Sequence, residues 1–174
     1  MAVLKVPATN LELRDFSEVR NFLESRGIWH DRWEASIPLR TQASQEEVLA
    51  AYEHVLQPFM KKGGYQTADV INVNAETSDL PALRAKFLSE HTHSEDEIRF
   101  FVQGEGLFWF NTGKEVFSLL CQTGDLISVP AHSKHWFDLG PKPEVKAIRI
   151  FIDKSGWVPQ YTESGVDKTF NPIY

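Results

Sequence analysis

Apolar side chains in the first third of the chain recur at helical spacing. Between positions 15 and 26 four of them share one helical face: Phe16, Val19, Phe22 and Leu23. Gly27 follows them, which is typical of a helix end. A second helix is predicted to open at Ser44, where the sequence to Glu47 matches a capping box, and to continue through Val55. Pro58 should end or kink this helix.

The pattern becomes β-type after about residue 67. Val70 to Val73 predict a strand, and residues 80–87 predict one short helix with proline in its first turn. Short runs rich in aromatic and aliphatic residues, separated by turn formers, then predict further strands: 98–103, 107–111, 115–121, 126–129, 135–139 and 145–153. Short strands at this spacing are typical of a small antiparallel barrel or sandwich.

A single domain over residues 1–174 accounts for this pattern. We predict a mainly β fold, an antiparallel β-barrel with its helices on the N-terminal side. A mostly helical part should span about residues 1–67, and the barrel core about residues 68–155. The sequence contains no internal repeat and no low-complexity linker.

Three histidines and a glutamate are the candidate chemistry of the β-rich part: His91, His93, Glu97 and His135. In a strand alternate side chains share a face, so the first three converge if no bulge intervenes. Neighbouring imidazoles are poor core material, because each neutral ring has a donor and an acceptor to satisfy. A metal ion would satisfy the acceptors together. The set therefore predicts a divalent transition-metal site, against the alternative of a histidine-rich strand facing solvent.

Charge and composition restrict the partners. The formal net charge is −6 and Lys61-Lys62 is the longest basic run, which argues against a nucleic-acid groove. The chain is 42% apolar, but no apolar run is long enough to cross a bilayer. Cys121 is the single cysteine and cannot form an internal disulfide, which fits a reducing cytosol. We expect a cytoplasmic monomer that acts on a small molecule and has no nucleic-acid or membrane partner.

The spacing of the candidate ligands resembles the two motifs of the cupin superfamily. The first motif lies in residues 91–104 and runs from the paired histidines through a glutamate to a glycine. The second lies in residues 124–135 and runs from glycine through proline to histidine. Two glycines of the usual pattern are replaced, by Ala85 and His132, which puts local turn geometry in question rather than metal binding. The resemblance implies a cupin-type antiparallel β-barrel.

Several separated strings are similar to one cupin family, the acireductone dioxygenases. They are Glu90 to Val102, Asp125 to Asp138 and Ala147 to Phe151, accompanied by Gly64-Tyr65, Asp69 and Gly156-Trp157. The resemblance covers roughly residues 64–160 and leaves the N-terminal part largely unconstrained.

This resemblance implies a dioxygenase that cleaves an acireductone, 1,2-dihydroxy-3-keto-5-methylthiopentene, with O₂ in methionine salvage. It implies one Fe(II) or Ni(II) per chain, with two coordination positions left for a chelating enediolate. In the family the iron form gives 2-keto-4-methylthiobutyrate and formate, whereas the nickel form gives methylthiopropionate, formate and carbon monoxide. Imidazole and carboxylate donors do not by themselves select the metal, so Fe(II) is our first choice and Ni(II) the second.

Two arginines are candidate catalytic residues beside the metal. Arg99 shares the odd-numbered face of the ligands, with a structural ion pair or a surface position as its alternative. Arg149 lies in an otherwise apolar strand, where an unpaired guanidinium would be very unfavourable. It therefore meets either a carboxylate inside the protein or an anionic substrate. Of these we favour the bound enediolate.

Carboxylates and aromatic rings near the ligands supply the remaining candidates. Glu95 and Asp96 are candidate catalytic bases for deprotonating the enediol, and Glu90 is placed to attract the cation. For at least two of these three, a solvated carboxylate is the simpler interpretation. Phe137 and Trp157 are candidate substrate-binding residues for the methylthio tail, although aromatic residues at such positions are about as often simply core.

Two other functions stay open on the sequence. A different metal-dependent cupin enzyme, an isomerase or another dioxygenase, would not consume O₂ with an acireductone. A non-enzymatic cupin binding protein would have a metal-free or inert site, which the intact ligand set disfavours.

Overall fold

Residues 1–170 are described by a computed structural model of the protein. Its strands are β1 (Val3–Val6), β2 (Leu11–Leu13), β3 (Trp29–Arg32), β4 (Thr67–Val73), β5 (His91–Thr92), β6 (Glu97–Asn111), β7 (Val116–Gln122), β8 (Asp125–Val129), β9 (Lys134–Asp138), β10 (Val145–Phe151) and β11 (Gln160–Tyr161). Its α-helices are α1 (Phe16–Glu24), α2 (Gln45–Ala51), α3 (Glu53–Gly63) and α4 (Leu80–Leu88). Short 3₁₀ helices span Pro7–Thr9, Lys154–Trp157 and Val166–Thr169.

The strands form two antiparallel sheets that share β6. One sheet has the order β11-β5-β9-β6-β7-β1-β2. In the other, β6 lies between β10 and β8, and β4 and β3 extend the two sides. Every pairing is antiparallel, which confirms the predicted mainly β, antiparallel fold.

The long strand β6 was predicted as two strands separated by a turn at residues 104–106, and that prediction is wrong. The pairing of β6 with β10 skips Val102, so this residue forms a β-bulge that bends the strand instead of reversing it. The bulge exchanges the two faces of β6. Odd-numbered positions such as Phe101 face the space between the sheets before it, and even-numbered positions such as Phe108 do so after it. Glu97, at the start of the strand, therefore faces the interior.

Apolar packing holds the sheets and helices together. The space between the sheets is filled by a cluster of buried side chains that includes Phe101, Phe108, Phe117, Ile127 and Phe137. Fully burying one such side chain contributes about 1.5–3 kcal/mol. On the outer face of the second sheet, α2 and α3 bury their apolar sides in a separate cluster. The polar ligand set borders the first of these clusters, since the ring centroid of His135 lies 6.3 Å from those of Phe108 and Phe110.

The predicted helices of the N-terminal part are present. α1 begins after Asp15, whose carboxylate accepts two backbone hydrogen bonds, and α2 begins at the capping box that Ser44 forms with Glu47. Pro58 was predicted to end or kink the second helix, and it does not end it. The break between α2 and α3 falls at Tyr52, and α3 runs through the proline.

The N-terminal part also contains β1, β2 and β3, which the sequence pattern did not predict. β1 extends the first sheet beside β7, and β3 extends the second beside β8. Strands of three or four residues show too few alternations to identify by pattern, and their stability depends on the distant strands beside them.

The predicted helix at residues 80–87 is α4, and it packs beside β9. Arg84 on α4 holds the buried Asp138 at two points, with Nε to Oδ1 at 2.7 Å and Nη2 to Oδ2 at 3.1 Å. Across residues 1–170, no helix has both the length and the apolar character needed to cross a membrane.

Candidate metal centre

The three histidines of the predicted ligand set lie together where β5 pairs with β9. His91 on β5 lies directly opposite His135 on β9, and their ring centroids are 4.6 Å apart. His93 follows β5, and its ring lies 4.9 Å from that of His91 and 5.2 Å from that of His135. One ring nitrogen from each histidine can be chosen so that the three lie within 4.8 Å of one another. Since all three side chains are buried, they form a compact metal-binding triad.

Glu97 adds a carboxylate to this triad. Its Oε2 lies 3.1 Å from Nε2 of His93 and 3.1 Å from Nε2 of His135. The side chain is 2% exposed, so it does not simply face solvent. The structure therefore places these four residues together.

Backbone carbonyls fix which ring nitrogen points at the centre. Nδ1 of His91 donates to the carbonyl of Ser89 at 2.7 Å, and Nδ1 of His135 donates to the carbonyl of Ser133 at 2.9 Å. The proton of each neutral ring is then on Nδ1, and Nε2 carries the lone pair. This is the usual way in which proteins orient a metal-binding histidine.

The same assignment shows why the site fits a cation. With Nδ1 of His135 protonated, its Nε2 lone pair faces Oε2 of Glu97 across 3.1 Å. Two acceptors at that distance repel each other unless a proton or a metal ion lies between them. Imidazole nitrogens and a carboxylate oxygen are a donor set that suits Fe(II), Ni(II), Co(II) and Zn(II).

The protonation states agree with metal binding. Burial, followed by the charge of His135, lowers the pKa of His91 to about 4, so this ring is neutral at pH 7. Burial by itself raises the pKa of Glu97. The charge of Arg99 and the contacts with His135 and His93 outweigh burial, and the pKa lies well below its ordinary value. Glu97 is therefore an anion ready to coordinate.

Arg99 is hydrogen-bonded to Glu97. Its Nη2 donates to Oε1 of Glu97 at 2.6 Å, and its guanidinium carbon lies 4.3 Å from the ring centroid of Phe137. Its Nε is buried and has no hydrogen-bond partner among the described residues. The ion pair holds the carboxylate so that its other oxygen faces the histidines.

Arg149 has a carboxylate partner inside the protein. Its Nε donates to Oδ1 of Asp69 at 2.7 Å and its Nη2 to Oδ2 at 2.6 Å. This was one of the two partners that the sequence allowed, and not the one we favoured. The charge of Arg149 still reaches the centre, because it lies opposite Arg99 and acts on that side chain.

Glu95 and Asp96 hold two loops beside the ligands. Oε2 of Glu95 accepts from the backbone N–H of Asp153 at 3.0 Å, and Oδ1 of Asp96 accepts from the backbone N–H of Ala131 at 2.9 Å. Within residues 1–170, neither carboxylate forms a hydrogen bond with a histidine of the triad. Their position in the chain between His93 and Glu97 leaves them as candidates for proton transfer.

The two predicted tail-binding aromatics have different surroundings. Phe137 is 3% exposed and belongs to the core between the sheets. Trp157 is half-buried and stacks on His93, with ring centroids 5.8 Å apart and planes inclined by 21°. Arg149 lies 5.2 Å from the Trp157 ring centroid. Of the two, Trp157 lies directly beside a ligand.

Glu90 is held by side chains outside the triad. It accepts hydrogen bonds from Asn111, Thr162 and Ser164. Burial raises the pKa of Glu90, but these three donors outweigh burial and lower it. The sequence pattern did not predict the contacts with Thr162 and Ser164, since they depend on how distant segments meet. The carbonyls behind the histidines are local, two positions before each ring, but their role depends on the backbone conformation there.

Comparison with known proteins shows the family to which the chain belongs. A sequence model of the ARD/ARD′ family matches residues 9–159. The chain belongs to this family. The match confirms the predicted family and includes most of the N-terminal part, which the motifs alone had left unconstrained.

Individual relatives match over most of the chain. Acireductone dioxygenase of Picosynechococcus sp. is 52% identical over 174 residues, which cover 99% of both chains. The protein of the same name from Gluconobacter oxydans is 49% identical and covers 92% of this chain and 85% of its own. A solved structure of acireductone dioxygenase from Bacillus anthracis, with a cadmium ion in its active centre, gives a TM-score of 0.84 at 33% identity, covering 92% of this chain and 98% of that one. The predicted cupin fold and a metal-dependent dioxygenase family are thereby confirmed.

Proposed function

We propose that this protein cleaves 1,2-dihydroxy-3-keto-5-methylthiopentene with O₂, as an acireductone dioxygenase of methionine salvage. The observation that carries the proposal is the buried triad of His91, His93 and His135, with Glu97 against two of its rings, in a chain of the ARD/ARD′ family. The ligand set argues against a non-enzymatic binding protein, and the family argues against an isomerase.

Glu97 is proposed as the fourth metal ligand, and the ion as Fe(II) or Ni(II), one per chain. The bound ion would act as a Lewis acid and leave two coordination positions for a chelating enediolate. Arg99 would keep Glu97 ionised and correctly turned through its 2.6 Å hydrogen bond. The Nε–H of Arg99 has no partner among the described residues, so it could donate a hydrogen bond to an oxygen of the anionic substrate.

Proton transfer is assigned to the carboxylates that follow His93. Glu95 and Asp96 each accept one backbone N–H, which orients them. Either is a candidate to take the enediol proton. Trp157, stacked on His93, and the more deeply buried Phe137 are proposed to line the methylthio tail site. Arg149 would add positive charge to this part of the site, because it acts electrostatically on Arg99 and lies 5.2 Å from the ring centroid of Trp157.

We also infer that the protein works as a cytoplasmic monomer on a small molecule. Its single cysteine, Cys121, is buried and free, which fits a reducing compartment. The net charge of −6 fits the absence of a nucleic-acid partner.

The test is product analysis after separate reconstitution. Metal-free protein is loaded with Fe(II) or Ni(II), supplied with the acireductone under O₂, and its products are measured. Formate with 2-keto-4-methylthiobutyrate is expected from the iron form, and formate, carbon monoxide and methylthiopropionate from the nickel form. The His91→Ala variant serves as the control with a damaged site. No O₂ uptake by either loaded form would overturn the proposed function, and identical products from both would overturn only the dependence on the metal.

A further inference from the structure

The strand that carries His91 is short and is held from both sides. β5 has two residues, and it pairs with β9 only where His91 lies opposite His135. On its other side it pairs with β11 at two positions, with Thr92 opposite Gln160 and His91 opposite Tyr161. β11 therefore pairs with β5 at more positions than the barrel strand β9 does.

Residues 160–170, which we term the C-terminal strap, continue across the outside of the first sheet. Phe170 packs on Trp109 and Trp136, with ring centroids 5.1 Å and 6.1 Å apart, and Val166 packs on the same cluster. Trp136 is the neighbour of His135. The strap thus lies against β5 at one end and against the strand of the third histidine at the other.

Glu90 joins the strap to β5 at a buried point. Its side chain is 2% exposed, and its Oε1 accepts from the hydroxyls of Thr162 at 2.5 Å and Ser164 at 2.7 Å. Its Oε2 accepts from Nδ2 of Asn111, at the end of β6, at 2.8 Å. The backbone N–H of Thr162 also donates to the carbonyl of Glu90 at 3.0 Å. A buried carboxylate with three donors is strongly fixed, because hydrogen bonds to a charged group are stronger than neutral ones.

We infer that Glu90 is a positioning residue of the metal centre, which fastens the C-terminal strap to β5 and so retains the metal through His91. The mechanical link is short. Ser89, whose carbonyl orients the ring of His91, and His91 itself are the immediate neighbours of Glu90. If the strap separates from Glu90, β5 keeps only its single position opposite β9. The ring of His91 would then lose its fixed orientation.

The test measures release of metal, in the absence of the acireductone. Full-length protein loaded with Ni(II) is mixed with excess chelator, and the release rate is followed for wild type, Glu90→Gln and Ser164→Ala. Changes in the residues that orient a metal-bound histidine typically alter affinity about 10- to 100-fold. We expect release about tenfold faster in Glu90→Gln, and a smaller acceleration in Ser164→Ala, which removes one of the three donors.

Two controls separate positioning from general stability. Glu163→Gln removes an exposed carboxylate of the strap itself and should release Ni(II) at the wild-type rate. Val48→Ala weakens the packing of α2, away from the centre, and should lower the melting temperature without faster release. Wild-type release from Glu90→Gln, or an acceleration that Val48→Ala reproduces at the same loss of melting temperature, would overturn the inference. It rests on the metal centre of the proposed function but not on the reaction, so a failure of catalysis would leave this result unaffected.

Discussion

Arg149 and Asp69 lie opposite each other on β10 and β4 and are joined at two points, Nε to Oδ1 at 2.7 Å and Nη2 to Oδ2 at 2.6 Å. The side chains are 27% and 11% exposed, so the pair is largely shielded from water. A two-point bond of this kind fixes the planar guanidinium. Stability is therefore the first property that this arginine should affect.

Replacing Arg149 by alanine should lower thermal stability and leave metal content close to wild type. Asp69 would lose its guanidinium partner, and losing charge-assisted hydrogen bonds costs about 1.5–3 kcal/mol. In a chain of this length that corresponds to a fall in Tm of roughly 3–12 °C. Asp69→Asn is the matched variant and should give a similar fall. Tm, metal content and steady-state kinetics are measured on one preparation, and an unchanged Tm with slow turnover would assign Arg149 to the substrate instead.

Replacing Arg99 by methionine should weaken metal binding. The variant keeps an unbranched apolar stem but removes the guanidinium and its 2.6 Å hydrogen bond to Glu97, so the carboxylate loses its orientation. We expect a loss of affinity of about 10- to 100-fold, measured by competition with a chelator. Arg20→Met, on the surface of α1, is the control and should bind metal normally. Normal affinity with slow turnover in Arg99→Met would mean that this arginine acts on the substrate.

His93→Ala should lose most of the metal and keep the fold. The ring supplies one of three clustered nitrogens, whereas the barrel is held by apolar packing elsewhere. Elemental analysis measures metal per chain, and circular dichroism measures the fold. His54→Ala changes an exposed histidine on α3 and should keep full occupancy. Full occupancy in His93→Ala would remove His93 from the ligand set.

Gly104→Ala should be strongly destabilising. Its φ is +77°, and an added Cβ would lie 1.7 Å from the carbonyl oxygen of Glu144, so the backbone itself would have to move. Gly113→Ala is the matched control, because its φ is +80° but no atom lies within 4 Å of the added Cβ. We expect a loss of about 1 kcal/mol for Gly113→Ala, from backbone strain alone, and of at least about 3 kcal/mol for Gly104→Ala. Equal losses in denaturant unfolding would show that the approach of Glu144 is unimportant.

The sequence by itself determined most of the regular elements and predicted the candidate ligand set. His91, His93, Glu97 and His135 could be chosen because few other environments suit neighbouring imidazoles in a strand region, and the capping box at Ser44 marks a helix start by local hydrogen bonds alone. These features depend on residue chemistry and on neighbours within a few positions. Their spacing also matched motifs of a known family, which gave the fold and the reaction.

Tertiary structure decided how the remaining residues are used. β6 continues through Gly104 because strands on both sides pair with it, although the local sequence is typical of a turn. Arg149 meets Asp69, eighty positions away, and Glu90 meets the strap, more than seventy positions away. A buried charge requires a partner, and this requirement can be predicted from the sequence. Which partner it finds depends on strand order and register, and these are fixed only when distant segments pack together.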